Sequence, residues 1–202
     1  MKELVPWKVT QLALIACLTL CIATGASAFD GNRKGFILGG GLGLGLTSFT
    51  QTVEVYGVSV TSDREDKSAI MTDFKIGFGA SDQVLIYWSS KVSWFSIENV
   101  YGNNVTIANG FGGVGVTYYF QPAAPSPYIQ GGVGFSTWSL PFEEGTDTWI
   151  GGGLSLGGGY EFSRHWSVEG DLVFGKPGDE VYGIEVYSST FTIRVTINAV
   201  AY

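Results

Sequence analysis

The stretch GFILGGGLGLGLTSF, residues 35–49, alternates. Phe36, Leu38, Leu42, Leu44 and Leu46 share one parity, and Gly39, Gly41, Gly43, Gly45 and Thr47 share the other. Successive side chains of a β-strand point to opposite faces, so this pattern is a strand with one greasy face and one small face.

The same reading returns seven times. Segment 69–80 sets Ile70, Phe74, Ile76 and Phe78 against Asp73 and Lys75; segment 84–97 sets Val84, Ile86, Trp88, Val92 and Trp94 against Lys91. Segment 106–120 sets Val114, Val116, Tyr118 and Phe120 against Gly113, Gly115 and Thr117. Segment 128–140 carries Ile129, Val133 and Phe135, and segment 149–162 sets Ile150, Leu154, Leu156, Tyr160 and Phe162 against Ser155 and Glu161. Segment 166–176 sets Trp166, Val168, Leu172 and Phe174 against Glu169 and Asp171. Segment 187–202 sets Phe191, Ile193, Val195 and Ile197 against Thr192, Arg194, Thr196 and Asn198.

With Lys176 counted among the loops, seven charges fall within the segments: Asp73, Lys75, Lys91, Glu161, Glu169, Asp171 and Arg194. All lie on the parity opposite the apolar residues. A soluble sandwich or barrel reverses this, with charges outside and apolar residues within. Lipid outside and a polar interior fit instead. Backbone groups facing hydrocarbon must be paired, so a spanning sheet has to close on itself. The expectation is an all-β fold: an eight-stranded antiparallel up-and-down transmembrane β-barrel. Eight strands make a lumen that side chains can fill. The interior glycines leave room for Lys91, Arg194 and Glu161 to meet, and the seven charges are expected to form a structural ion network plugging the lumen.

The connections alternate in length. Long ones are 50–68, 98–105, 141–148 and 177–186; short ones are 81–83, 121–127 and 163–165. Outer membrane barrels have short periplasmic turns and long outer loops, so both termini are expected in the periplasm. Aromatics are expected at the two interfaces. Phe36, Phe78, Tyr118, Phe120, Tyr128, Tyr160, Phe162 and Trp166 fall at the periplasmic ends, and Trp94, Trp138, Trp149, Phe174 and Phe191 toward the outer ends. TVEVYGVSV in the first loop reads as a hairpin rising above the membrane, with an edge open to strand addition.

Residues 1–28 read as a cleaved signal peptide: an apolar run from Leu12 to Ala23 and an Ala26-Ser27-Ala28 cleavage site. The run is short for a membrane anchor, which needs about 20 residues. A lipoprotein signal is the rival, since Leu14-Ile15-Ala16-Cys17 fits that motif, but cleavage there leaves only Leu12–Ala16 as the core. The remaining 29–202 is one barrel domain. It lacks both cysteines, Cys17 and Cys21, so no disulfide or thiolate–metal framework holds it.

Of the 202 residues, 45% are hydrophobic and only 14% charged, with 30 glycines and a net charge of −7. That excludes a disordered chain, and an acidic balance argues against nucleic acid as a partner. The acids concentrate in the long loops: Glu54, Asp63, Glu65, Asp66, Glu98, Glu143, Glu144, Asp147, Asp179, Glu180 and Glu185, against Arg64, Lys67 and Lys176. The outer surface is therefore acidic, the periplasmic ends (Asp30 and Asp82 against Arg33, Lys34 and Arg164) are +1 and the interior is −1. Divalent cations bridging these carboxylates to lipopolysaccharide phosphates are one reading of the loops; a solvated loop surface is the plainer one.

KGFILGGGLGLG (34–45) and GGGLSLGGGYEFSRHWSVEGDLVFG (151–175) resemble strands of the OmpA-like and OmpX-like small outer membrane barrels. The resemblance covers nearly all of 29–202 and implies architecture more than activity. It implies insertion by the barrel-assembly machinery, with Tyr202 as the terminal aromatic of the assembly signal. That signal asks for a lipid-facing ring, whereas Tyr202 and Val200 sit on the interior parity of their segment.

Little chemistry is encoded. His165-Trp166-Ser167 is similar to the His-x-Ser of lipid A deacylases, but Val168-Glu169-Gly170 follows where that family has Asn-Ala-Gly, and His165 sits in a periplasmic turn. The G-x-G-x-x-G of Gly110–Gly115 precedes a strand, where a dinucleotide site needs a helix. No cofactor, metal site or catalytic residue is expected. The functional expectation is a non-enzymatic outer membrane scaffold displaying acidic loops, with outer membrane lipid, lipopolysaccharide and an extracellular ligand of the loops as partners. The alternatives are a narrow OmpW-like channel for small solutes, a lipid A-modifying barrel, and a soluble exported carrier.

Overall fold

The computed structural model of the protein describes residues 31–98, 102–143, 145–181 and 183–202. The signal-peptide reading of 1–28 and both cysteines lie outside the described residues, as do Asp30 and Glu144. Every regular element among the described residues is a strand: β1 (Gly35–Val55), β2 (Val58–Thr61), β3 (Glu65–Gly79), β4 (Val84–Glu98), β5 (Asn104–Tyr119), β6 (Ser126–Ser139), β7 (Trp149–Ser163), β8 (Trp166–Gly175), β9 (Gly178–Val181) and β10 (Ile184–Ala201).

The ten strands form one antiparallel sheet ordered β2-β1-β3-β4-β5-β6-β7-β8-β10-β9, and β1 also pairs with β10. That last ladder, from Leu38 opposite Ala201 to Val55 opposite Ile184, closes the long strands into a ring. The eight alternating segments are the ring members. β2 and β9 are the additional two, four residues each, both laid against the projecting ends of β1 and β10.

These two strands correct the loop reading. Much of 50–68 is strand: β1 continues to Val55, turns at Tyr56-Gly57 and returns as β2. Both turn residues have positive φ, 48° and 81°, the conformation two-residue hairpin loops demand. At roughly 3.3 Å per residue, the 21 residues of β1 make the longest strand. It forms, with β2, β10 and β9, a four-stranded blade at the end of the ring that carries the long connections. The opposite end carries the short turns, Gly35 and Ala201.

The two faces of the ring follow the parity. Leu42, Leu44 and Val133 are 67, 71 and 66% exposed, with Phe36, Ile70, Phe78, Ile129, Ile150, Val195 and Ile197 also on the outside. Inside, Arg194, Glu169 and Thr196 are each 1% exposed. Soluble monomers rarely expose contiguous apolar patches above a few hundred Å²; here a belt of them runs around the ring.

Inward apolar residues gather at two levels. Ile37, Leu85, Tyr87, Tyr119, Tyr128, Val200 and Tyr202 cluster at the short-turn end. Phe49, Ala69, Met71, Phe95, Ile107 and Trp138 cluster toward the long-loop end. Tyr128 and Trp138 are thus interior, not interface aromatics: both are odd in number of steps from the lipid-side set of their strand. Trp149 is half-buried and packs against the second cluster.

Candidate functional site

Between the two apolar layers lies a band of charge. Asp73 faces Lys91 across the β3–β4 ladder, and Asp171 faces Arg194 across β8–β10. The antiparallel register therefore sets opposite charges side by side before any long-range reach is needed. Lys91 Nζ then spans the lumen, 2.7 Å from Glu169 Oε1, 2.7 Å from Asp171 Oδ2 and 3.6 Å from Asp73 Oδ2. Lys75 Nζ lies 2.5 Å from Glu169 Oε2, and Arg194 Nη2 pairs with Asp73. Three acids and three bases make a neutral set.

Neutral side chains complete it. Gln130 donates to Asp171 at 2.5 Å and accepts from Lys75 and from the Tyr87 hydroxyl, each at 3.1 Å. The Tyr128 hydroxyl, within 3.2 Å of Ser167 Oγ, donates to Glu169 at 3.1 Å. Thr196 donates to Asp73 at 3.3 Å. Isolated buried ions cost several kcal/mol each, and only pairing and further hydrogen bonds offset that. The interior glycines supply the space. A Cβ on Gly115 would stand 2.7 Å from the Tyr87 ring, and one on Gly159 would stand 2.5 Å from Tyr128.

Asp73, Glu169 and Asp171 lie close enough together to hold a metal ion. The Lys91 ammonium stands among them, within salt-bridge distance of all three, and supplies the positive charge there.

Six of the seven charges read from the sequence meet in this band. Glu161 does not. It pairs with Arg33 at the short-turn end and accepts a hydrogen bond from the Tyr202 hydroxyl. Arg33, assigned from the sequence to the periplasmic surface, is 2% exposed. It donates to the carbonyls of Asp82 and Gln121 at 2.9 and 2.8 Å and lies over the Tyr119 ring at 3.8 Å. The interior is therefore balanced, four acids and four bases, not −1. Arg33 precedes β1, where alternation has no period to read; a lone arginine ahead of a barrel strand was the only signal.

Tyr202 faces inward, as its parity requires. It also packs against His165, ring centres 4.6 Å apart, while His165 Nδ1 is 2.9 Å from the Val200 carbonyl. The lipid-facing ring that the assembly signal asks for is not found at this position. His165 and Ser167 engage different partners: the Val200 carbonyl and Tyr202 ring for one, the Tyr128 hydroxyl for the other.

Above the second apolar layer the ring opens into a cavity of about 450 Å³ at the long-loop end. Ile97, Ile107, Trp138, Leu140, Trp149 and Val186 line it, with Gln51, Thr146, Asp147 and Asp179 beside them. Its floor is the aromatic set in which Trp138 meets Phe49 at 4.9 Å and Phe95 at 5.7 Å between ring centres. The parity reading missed this cup because its walls are inward apolar residues, the class that reading assigned to lipid.

No protein-family model matches the sequence, and no curated protein matches it. Among solved structures the chain is similar to the outer membrane protein OprG of Pseudomonas aeruginosa, with a TM-score of 0.50 at 10% identity over 85% of this chain and 98% of that one. It is also similar to the outer membrane protein AlkL, with a TM-score of 0.46 at 12% identity over 85% and 92% of the two chains. Neisserial surface protein A gives a TM-score of 0.41 at 14% identity over 80% and 97%. At such identities likeness speaks for fold alone: the chain has the all-β, antiparallel, up-and-down architecture of an outer membrane barrel, and OprG does not single out the OmpA-like or OmpX-like barrels.

Proposed function

We propose that the protein is an integral outer membrane β-barrel that crosses the bilayer with the eight ring strands and works, without catalysis, as a scaffold for its long-loop end. In this reading residues 1–28 are the cleaved signal peptide, the short turns and both termini are periplasmic, and bilayer lipid and lipopolysaccharide surround the belt. Outward aromatics such as Phe78, Phe120, Phe162 and Trp166, each about half exposed, sit at the periplasmic interface, where amphipathic rings are favoured. Insertion is the work of the barrel-assembly machinery.

The observation that carries the reading is the inversion of the two faces. The apolar row of every ring strand is exposed, and the ionisable row is buried in pairs. Only a solvent poorer than water in hydrogen-bonding capacity makes that arrangement stable. The test is a heat-modifiability gel on isolated outer membranes combined with protease shaving of intact cells. The folded form should migrate apart from the boiled one, and cuts should fall in the long connections. A chain released with the periplasmic fraction overturns the reading.

A narrow channel for small solutes is the second reading, and the mouth cavity is what favours it. The ionic band and the aromatic layer fill the lumen beneath that cavity, which favours the scaffold. Stepwise conductance in a planar bilayer, abolished by filling the mouth with Val186→Trp, would decide for the channel.

A further inference from the structure

The cup at the mouth has a chemistry of its own. Trp149 stands in its wall among aliphatic side chains and the polar Gln51 and Thr146, Trp138 lies in its floor, and two exposed carboxylates, Asp147 and Asp179, stand beside them. Among the described residues neither carboxylate takes part in an ion pair, although Asp179 Oδ1 accepts the Glu180 N–H at 2.8 Å. Lys176, the base nearest Asp179 in sequence, is turned onto the Tyr187 ring, 3.8 Å above its centre. We propose that this cavity binds a small organic cation with an apolar body, of the quaternary ammonium type, its alkylated head on the Trp149 indole and toward Asp147 and Asp179 and its hydrocarbon part against the aliphatic walls.

Three properties select that class. Indole is the best aromatic partner for a cation, and a desolvated alkylammonium gains most from it. An inorganic cation keeps its water and gains nothing from aliphatic walls, whereas an alkylated one buries its methyl groups there. A neutral hydrocarbon fits the walls but gains nothing from the exposed carboxylates, and an anion is repelled by them. The surrounding field acts in the same direction. The long connections carry eleven acids against Arg64, Lys67 and Lys176, and an excess of one sign raises the local concentration of opposite charge. A volume of about 450 Å³ lies within the range of small-molecule sites. The proposal rests on the surface-binding scaffold reading and names its ligand class.

The experiment uses the full mature barrel in nanodiscs, labelled with 5-fluorotryptophan. Three probes of similar shape are titrated: phenyltrimethylammonium, its uncharged isostere tert-butylbenzene, and benzenesulfonate. The expected result is a saturable shift of the Trp149 and Trp138 signals, assigned through Trp149→Phe and Trp138→Phe, with phenyltrimethylammonium. Binding of tert-butylbenzene should be at least about tenfold weaker, and benzenesulfonate should cause no shift. Asp147→Asn with Asp179→Asn should erase the preference for the cation while the band stays heat-modifiable. Equal binding of the cation and its isostere, an undiminished preference in the double variant, or no saturable shift in a heat-modifiable preparation each overturns the proposal. A preparation that is not heat-modifiable in the first place counts against the membrane-barrel reading instead, so the two failures are told apart.

Discussion

The lumen is filled twice over by opposite means. At mid-height, Lys75, Lys91 and Arg194 reach across to Asp73, Glu169 and Asp171. One layer nearer the long loops, Phe49, Phe95 and Trp138 fill the same cross-section by ring packing. The ionic layer is specified by number: each charge has a partner, and removing one leaves another uncompensated. The aromatic layer is specified by volume, and a smaller side chain leaves a void whose cost grows with its size. The two layers should therefore fail differently, and urea unfolding of the refolded barrel in detergent can show it.

The largest effect is expected at Lys91, the base that touches all three acids of the band. Lys91→Met should destabilise the barrel by about 3–5 kcal/mol, the range for a broken buried pair. Arg194→Ala, which strips Asp73 of its guanidinium, belongs to the same range. The comparison sharpens with a double change. Arg194→Met with Asp73→Asn removes both charges and should recover most of the loss, because apolar replacement of a whole buried pair is often neutral. No recovery would mean that packing, not charge, sets the worth of this layer.

The aromatic layer should show no such rescue. Phe95→Leu changes volume without orphaning a charge, and about 1–2 kcal/mol is expected. On the short-turn side of the ionic layer, Gly159→Val tests the space the glycines keep. Its side chain would have to displace the Tyr128 ring, and overpacking of this kind costs about 1–3 kcal/mol. Loss of the near-ultraviolet signal of the interior tyrosines would accompany it; an unchanged unfolding midpoint would show that the glycine is not there to make room.

The two layers also differ in how far they can be read from sequence. A charge on a strand is rare enough that its parity alone places Asp73 and Arg194 inside. A phenylalanine is ambiguous, since Phe74 on the lipid side and Phe95 in the lumen have the same chemistry, and only the register with neighbours tells them apart. The extra strands were legible in part: TVEVYGVSV reads as a hairpin, but β9 contains Gly178 and follows Pro177, both weak strand formers. Glu161 misled for a third reason. Its parity is right, but parity says nothing about height along the barrel, and height decided that it meets Arg33 and Tyr202 and not Lys91.

The smallest effect is expected where the chemistry is the same and the surroundings are not. Lys67 and Glu65 pair at 3.1 Å on the long-loop end, with side chains 32 and 52% exposed. Lys91 and Glu169 pair at 2.7 Å with side chains 2 and 0% exposed. In water two unit charges at such separations attract by only about 1 kcal/mol, much of it lost to side-chain ordering and salt. Lys67→Ala should therefore shift the unfolding free energy by no more than about 0.5 kcal/mol, and the shift should vanish in high salt, where the Debye length falls to about 3 Å. The cost of Lys91→Met should survive the same salt, because ions do not enter a filled lumen. A salt-sensitive Lys91 effect would mean that water and ions reach the mid-height band, and the plug would then be a pore.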